Sequence, residues 1–391
     1  MRARLPSEDV LRPAWAEVDL DALRHNYEHL RRRTHPARAL AVIKADAYGH
    51  GAVAVGRELE AAGVDWLGVA LVEEGTELRR GGVEAPILVL GPAQRPQLPL
   101  FRRYRLTPTV SSLEQLAAWR EFTDGNARRQ PIHLKVDTGM NRLGIGVDQC
   151  VTALETVRAS PGLELAGLLS HLADAEQPES PHNAQQIERF AALLERLRPD
   201  ERECVELHLA NTSGALHQPA SRHSLVRLGL GLFGFDPAGR EAGLRPVLAV
   251  KARLVSLRQV AAGAPLGYGG RRVTARPSRI GVLPIGYADG YGWRLSDRAE
   301  VLVGGRRAPV VGAVSMDLTL VDLTDTDAEL GDEAVVLGRQ GGDEITAVEL
   351  ARLAGTIPYE ILCGLQVRLP RRYTRSGELV GAASRFLRAL P

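Results

Sequence analysis

A lysine lies where it could do chemistry in the stretch AVIKADAYGHG, residues 41–51. The apolar run at residues 40–43 is typical of a short buried strand, and Lys44 follows it directly. Asp46 and two glycines then predict a turn, before a helical pattern at residues 52–62. A desolvated lysine can lose its proton and act as a nucleophile, so Lys44 is a candidate for covalent catalysis.

Lysine is rare in this chain. Lys and Arg together number 49, but only Lys44, Lys135 and Lys251 are lysines. Arginine stays protonated and cannot form a Schiff base, so a lysine that is kept marks a place where arginine cannot substitute. The alternative is chance survival in an arginine-biased composition. That alternative is weakest for Lys44, because it lies at a strand end beside glycines.

Composition limits the class of protein. A chain of 391 residues with 45% hydrophobic and 25% charged residues is typical of a globular protein with two domains. The net charge is only +2 and the arginine pairs are scattered among acids, which argues against a nucleic-acid-binding face. Three distant cysteines predict neither a disulfide framework nor a metal site. Residues 1–13 lack an apolar stretch for a signal peptide, and no apolar run reaches ~18 residues, so we expect a cytoplasmic protein without a membrane segment.

Eight short apolar runs alternate with helical or turn segments in the first part of the chain. Because such alternation implies a parallel sheet covered on both faces, we predict a (β/α)8 barrel over residues 1–244 rather than an open doubly wound sheet. From about residue 245 the strands alternate polar and apolar residues between Gly and Pro turns, which predicts a mostly β domain over residues 245–391. The eight predicted barrel strands lie near residues 40–44, 66–71, 86–90, 106–110, 132–136, 163–170, 204–209 and 224–230.

Residues suited to chemistry follow the predicted strands at one end. Active sites of such barrels lie at the carboxyl ends of the strands, and the last two loops often bind a phosphate. Glycines after strand eight would let backbone N–H groups approach an anion, although a tight turn is the alternative for a glycine-rich loop. The residues in these positions are Lys44, Lys135, Arg142, His171, Asn211, Thr212, Gly229 and Leu230.

Several motifs resemble those of bacterial alanine racemases, which use pyridoxal 5′-phosphate (PLP). Besides AVIKADAYGHG, the matches include HLKVDTGMNRLG, LLSHLAD, VRLGLG, GAPLGYGG, GYADG and VSMDL, and they run from about residue 15 to Tyr373. The resemblance implies a PLP-binding barrel, with the cofactor held as a Schiff base on Lys44, and a C-terminal β domain that carries the catalytic Tyr268.

The resemblance also implies a role for each cofactor-binding residue. Arg227 faces the pyridine nitrogen, and because a guanidinium only donates hydrogen bonds it leaves that nitrogen unprotonated, which favours proton exchange over side reactions. Thr212 stands where the family usually has serine, and it keeps the hydroxyl. The residues implied to hold the phosphate are Tyr48, Thr212, Gly229, Leu230 and Tyr359, and Asn211 and His171 complete the cofactor set.

For the substrate, the resemblance implies binding by Arg142, Met316 and Asp317. Lys44 and Tyr268 act as two acid/base groups on opposite faces of the substrate, with Tyr268 reaching Lys44 of the partner subunit, so a homodimer is expected. We further predict that Lys135 is carbamylated, since an anion there would pair with Arg142. The expected function is racemisation of alanine, supplying D-alanine for peptidoglycan.

Three alternatives remain. A serine or broad-specificity racemase differs only in pocket depth. An amino-acid decarboxylase on the same barrel would lack the Tyr268 motif. A catalytically silent PLP carrier usually comprises the barrel alone, and the β domain from about residue 245 argues against it.

Overall fold

The computed structural model describes residues 12–241 and 243–384, which form two compact units. The barrel unit comprises residues 22–47 and 52–245, and the β unit comprises the described residues of 12–21, 48–51 and 246–384. The predicted absence of a signal peptide concerns mainly residues 1–11, which lie outside the described residues. No helix in the described part has the length and apolar character needed to cross a membrane.

Eight parallel strands form the barrel, which confirms the predicted fold class. The first seven strands pair in chain order, each with the next. The eighth strand pairs with the first. The first to eighth barrel strands are Arg38–Val42, Trp66–Val69, Ile87–Val89, Thr107–Val110, Gln130–Asp137, Leu163–Leu169, Glu206–His208 and Leu225–Leu228.

Individual hydrogen bonds, rather than a continuous ladder, connect the region of the seventh strand to that of the eighth. The backbone N–H of Arg227 donates to the carbonyl of Ala210 at 3.0 Å, and that of Leu207 donates to the hydroxyl of Ser224 at 2.7 Å. The sheet therefore comes close to a complete cylinder. Its strand ends, and the loops that follow them, meet at one mouth.

Helices cover the outside of the barrel. In Leu113–Thr123 the Ser112 hydroxyl caps the N-terminus by accepting from the Gln115 N–H, and Leu116 and Trp119 are buried. The other helical segments are Leu20–Thr34, Lys44–Gly49, Ala52–Ala61, Val72–Arg80, Leu98–Arg103, Cys150–Arg158, Pro181–Leu194, Pro199–Cys204 and Thr212–His217, with 3-10 turns at Arg95–Gln97, Val147–Gln149, Pro219–Ser221 and Leu230–Phe233.

The β unit contains a large mixed sheet and two small antiparallel ones. The large sheet has the order Arg306–Pro309, Glu300–Val303, Glu333–Gln340, Leu248–Arg253, Ala14–Asp19, Arg371–Arg375 and Glu378–Ala383, with Asp343–Ile345 paired to Glu333–Gln340. The small sheets are Ser256–Val260, Ser278–Leu283 and Thr319–Asp322, and Pro265–Leu266 with Arg272–Val273. Two helices, Ala347–Ala354 and Pro358–Cys363, complete the unit.

The N-terminal strand differs from the predicted domain limits. Ala14–Asp19 was placed with residues 1–244, yet it pairs antiparallel with Leu248–Arg253 and parallel with Arg371–Arg375 inside the β unit. Ala14, Trp15 and other apolar residues of this strand are buried there. The difference arises because strand pairing over more than 200 residues leaves no local signal in the sequence.

Candidate active site

Lys44 begins a left-handed turn directly after the first barrel strand. The four residues from Ala45 to Tyr48 all have φ between 52° and 54°, a conformation that costs an L-residue roughly 1–2 kcal/mol. Two carboxylates hold the turn: Glu74 accepts from the Ala45 N–H at 2.6 Å, and Asp46 accepts from the Ala52 N–H at 2.7 Å. The turn was predicted, but its left-handed form was not. Lys44 is thereby held, exposed, at the barrel mouth.

Lys135 is buried within the fifth strand, which continues to Asp137, one residue beyond the predicted range of 132–136. Burial is the main cause that lowers the pKa of Lys135 to about 8, and the charges of Arg227, Arg142 and Lys44 lower it further. These four cationic side chains therefore share one electrostatic environment. Such a cluster is suited to bind an anion and to keep an amine partly neutral.

Arg227 is the most constrained side chain of the mouth. Its Nη1 donates to the carbonyl and Nδ1 of His208, at 3.0 and 3.2 Å, and its Nη2 donates to the carbonyls of Ser170 and Leu209 at 2.9 Å. Nη2 also donates to His171 Nδ1 at 2.8 Å. Burial lowers the pKa of Arg227 to about 10, so the guanidinium stays charged near neutral pH. Burial of the His171 ring, together with the Arg227 charge, holds the pKa of His171 well below its ordinary value. Neutral His171 then accepts at Nδ1 and carries its hydrogen on Nε2.

The loops after the seventh and eighth strands bring hydroxyl and backbone groups together. Thr212 Oγ1 accepts from the Gly229 N–H at 2.9 Å, so its own hydrogen remains available as a donor. Ser213 Oγ is buried and has no hydrogen-bond partner among the described residues. Asn211 caps the helix Thr212–His217 by accepting from the Gly214 N–H at 3.0 Å. Leu230 starts the 3-10 turn Leu230–Phe233, which follows the eighth strand. This arrangement is suited to hold an anionic group.

In the β unit, the rings of Tyr48 and Tyr359 lie 6.3 Å apart. Burial raises the pKa of the Tyr48 phenol, so it stays protonated. Tyr268 lies in the turn Tyr268–Gly270, and its side chain is 76% exposed, whereas that of Tyr48 is buried. Met316 and Trp293 are also about half exposed.

A buried carboxylate that the sequence analysis missed organises the loop that carries Met316. Asp289 accepts a bidentate pair of hydrogen bonds from Arg12, and it lies 3.0 Å from the Nε of Arg368. Arg368 in turn donates to Asp317 at 2.5 Å, so the structure places this predicted substrate-binding residue in an ion pair. The Ala288 N–H donates to the Met316 carbonyl at 3.0 Å. Asp289 is thus linked to the backbone at Met316 in two ways. Its neighbour Ala288 donates to the Met316 carbonyl, and Arg368 joins Asp289 to Asp317, the residue after Met316.

We expect Asp289→Asn to destabilise the β unit strongly. The substitution leaves two guanidinium groups beside a neutral amide, and breaking a buried ion pair costs about 3–5 kcal/mol. Denaturation in urea measures the change. The matched control is Asp325→Asn, because its pair with Arg276 is exposed and contributes little. Equal stability of the two variants would show that Asp289 does not hold the loop.

A parallel barrel whose mouth gathers lysines, arginines and a neutral histidine is typical of a barrel enzyme with an anion-binding active site. The alanine racemase N-terminal domain model matches residues 18–237, and the C-terminal domain model matches residues 247–373. The chain therefore belongs to the alanine racemase family, whose members are isomerases. This confirms the family and the enzyme class that the motifs predicted, and it argues against the decarboxylase and the silent PLP carrier.

Individual relatives agree along nearly the whole chain. An alanine racemase from Symbiobacterium thermophilum is 43% identical over 369 residues, which cover 93% of this chain and 98% of that protein. The solved alanine racemase of Clostridium difficile 630 has a TM-score of 0.91 and 32% identity, covering 96% of this chain and 99% of its own. Alanine racemase from Bartonella henselae, solved with covalently bound pyridoxal phosphate, has a TM-score of 0.83 and 30% identity, covering 93% and 100%.

Proposed function

We propose that the protein racemises alanine with PLP as cofactor, using Lys44 and Tyr268 as two acid/base groups. The observation that carries the proposal is the environment of Lys135, in which Lys44, Arg142 and Arg227 are electrostatic neighbours at one barrel mouth. Membership of the alanine racemase family supports the reaction. The relative solved with covalently bound pyridoxal phosphate supports the cofactor.

The residues of the barrel unit fit PLP. Lys44 would attach it covalently, and the hydroxyls of Thr212 and Ser213 with the backbone at Gly229 and Leu230 would hold its phosphate. Ser213 Oγ, a buried oxygen that has no partner among the described residues, supports such a ligand. The resemblance adds Tyr48 and Tyr359 to this set. When bound, PLP withdraws electrons from Cα and makes the α-proton acidic.

Arg227 would face the ring nitrogen of PLP. Its Nη atoms are committed to His208, Ser170, Leu209 and His171, whereas its Nε–H has no acceptor among the described residues. A charged donor at that position keeps the ring nitrogen unprotonated, because a guanidinium cannot give up its proton near neutral pH. This arrangement favours return of a proton to Cα over other fates of the substrate.

Lys44 and Tyr268 would then move protons on opposite faces of Cα. By analogy with the family, Lys44 serves the D-enantiomer and Tyr268 the L-enantiomer. Arg142 and the backbone N–H of Met316 would bind the substrate carboxylate, since a guanidinium matches a carboxylate with two parallel hydrogen bonds. The high exposure of Tyr268 supports its contribution to the site of a second copy, which makes the protein an obligate homodimer for catalysis.

We also propose that Lys135 is carbamylated. Only the neutral amine reacts with carbon dioxide, and a pKa lowered to about 8 means that the neutral fraction is substantial at pH 8 and rises above it. The resulting anion would offset the positive charges of Arg142 and Arg227. With ¹³C-bicarbonate, we expect a carbamate NMR signal from the wild type at pH 8 and a weaker one at pH 6. Lys135→Gln provides the control, and a signal of equal size in that variant would reject this assignment.

Racemisation itself is tested with L-alanine in D2O. The proposal predicts D-alanine with deuterium at Cα and eventual loss of optical rotation. Unchanged L-alanine without deuterium would overturn it, and release of carbon dioxide would indicate decarboxylation instead. Serine assayed in parallel tests the broad-specificity alternative. One hydroxyl in an apolar pocket changes kcat/KM by roughly 10–200-fold, so a clear preference for alanine is expected. In the cell, such an enzyme would supply D-alanine for peptidoglycan.

A further inference from the structure

Three buried polar atoms inside the barrel have no hydrogen-bond partner among the described residues. They are Trp66 Nε1, Thr109 Oγ1 and His133 Nε2, on the second, fourth and fifth strands. Thr109 pairs in register with His133 on the adjacent strand, so the two side chains share the inner face. The rings of Trp66 and His133 lie 5.3 Å apart, at an interplanar angle of 65°. The three groups therefore come from neighbouring positions in the barrel interior.

The direction of the hydrogen bonds decides which of these atoms donate. Arg227 can only donate, so His208 Nδ1 accepts from it and His208 carries its hydrogen on Nε2. That Nε2–H donates to His133 Nδ1 at 2.9 Å, which leaves the hydrogen of His133 on Nε2. Complete burial keeps both imidazoles neutral, with the pKa of His133 lowered to about 3. His133 Nε2 and Trp66 Nε1 are therefore both donors.

We propose that one water molecule is bound between Trp66, Thr109 and His133. A water offers two acceptor sites and two donors. It can accept from the indole and imidazole N–H groups while it donates to the Thr109 hydroxyl. No described residue supplies an acceptor to any of the three atoms. Buried donors without an acceptor are costly, which favours occupancy of the site.

The absence of a side chain at Gly167 provides the space that the His133 ring occupies. A Cβ at this position would lie 2.2 Å from Nδ1 of His133, so only glycine lets the ring take its place beside the sixth strand. The bound water would form the far end of a chain that runs through His133 and His208 to Arg227. We assign His133 and His208 as positioning residues for the Arg227 guanidinium. The effect of that guanidinium on PLP rests on the proposed function, whereas the water site does not.

High-resolution crystal structures of the holoenzyme and two variants test the site. In the wild type we expect one ordered water about 3 Å from all three atoms. Thr109→Ser keeps the hydroxyl and should keep the water, whereas Thr109→Val should lose it or reduce its occupancy. A dry contact in the wild type, with the His133 Nε2–H directed at the Trp66 ring, would overturn the proposal. So would full occupancy in Thr109→Val.

The direction of the hydrogen bonds from Arg227 through His208 to His133 has an independent test. In protein labelled with ¹⁵N-histidine, we expect two buried imidazoles, those of His133 and His208, with Nε2 protonated and Nδ1 bare across the folded pH range. Signals are assigned by loss in His133→Gln and His208→Gln. Protonation of Nδ1 in His133 would overturn the assignment. Neither readout depends on racemisation, so failure here is distinct from failure of the proposed function.

Discussion

Lys44→Ala should yield a protein without covalently attached cofactor and with racemisation lowered by at least about 10⁴-fold. A positioned acid/base group alone contributes about 10²–10⁴-fold, and this substitution also removes the only attachment point that we propose. The visible absorption of the purified protein, its mass after borohydride reduction and its racemisation rate measure the effect. Lys44→Arg should be equally inactive, because arginine keeps the charge but does not release its proton.

Lys251→Ala serves as the matched lysine control. Lys251 lies in the β unit, where it pairs with Glu17 at 2.9 Å and takes no part in the proposed chemistry. Its variant should keep the covalent cofactor and near wild-type activity. Covalent attachment in Lys44→Ala, or loss of attachment in Lys251→Ala, would contradict the role of Lys44.

Tyr268→Phe should lower racemisation by about 10²–10⁴-fold while the cofactor stays attached. The phenolic hydroxyl is the only group removed, and the side chain is 76% exposed, so the thermal stability of the subunit should not change. Rates measured in both directions, with the absorption spectrum and melting temperature, separate a chemical effect from a structural one. With D-alanine as substrate, deuterium exchange at Cα without inversion should persist, because Lys44 still serves the D-enantiomer.

Tyr104→Phe is the control for loss of a phenol. Tyr104 lies in the barrel unit, away from the mouth, where its hydroxyl accepts from Arg80 at 3.1 Å. This variant should racemise alanine at the wild-type rate. If Tyr268→Phe were as active as Tyr104→Phe, the two-base mechanism would have to be abandoned.

The barrel was predictable from the sequence because each of its strands is a short, nearly continuous apolar run. Two features were not predictable. Ala14–Asp19 joins the β unit by pairing with strands more than 200 residues away, which no local pattern records. The left-handed turn after Lys44 uses alanine and tyrosine, residues that by themselves favour the right-handed form, and distant carboxylates such as Glu74 hold it.

The mouth residues could be proposed from their positions after the strands, but their supporting residues were missed. A signal for His133 was present, since it lies two residues before Lys135 and so faces the same side of the strand. His208 has no such cue, because its importance comes from contact with Arg227. Asp289 could not be recognised as a buried hub, since its partners Arg12 and Arg368 are remote in sequence.

Subunit mixing tests most directly whether Lys44 and Tyr268 of different copies form one site. Lys44→Ala and Tyr268→Phe proteins are each nearly inactive, but a mixed dimer would join the intact Lys44 of one subunit to the intact Tyr268 of the other. Because about half of the dimers in an equal, re-equilibrated mixture are mixed and each has one intact site, we predict recovery of about a quarter of wild-type activity. No recovery, with mixed dimers demonstrated by mass spectrometry, would contradict the shared site.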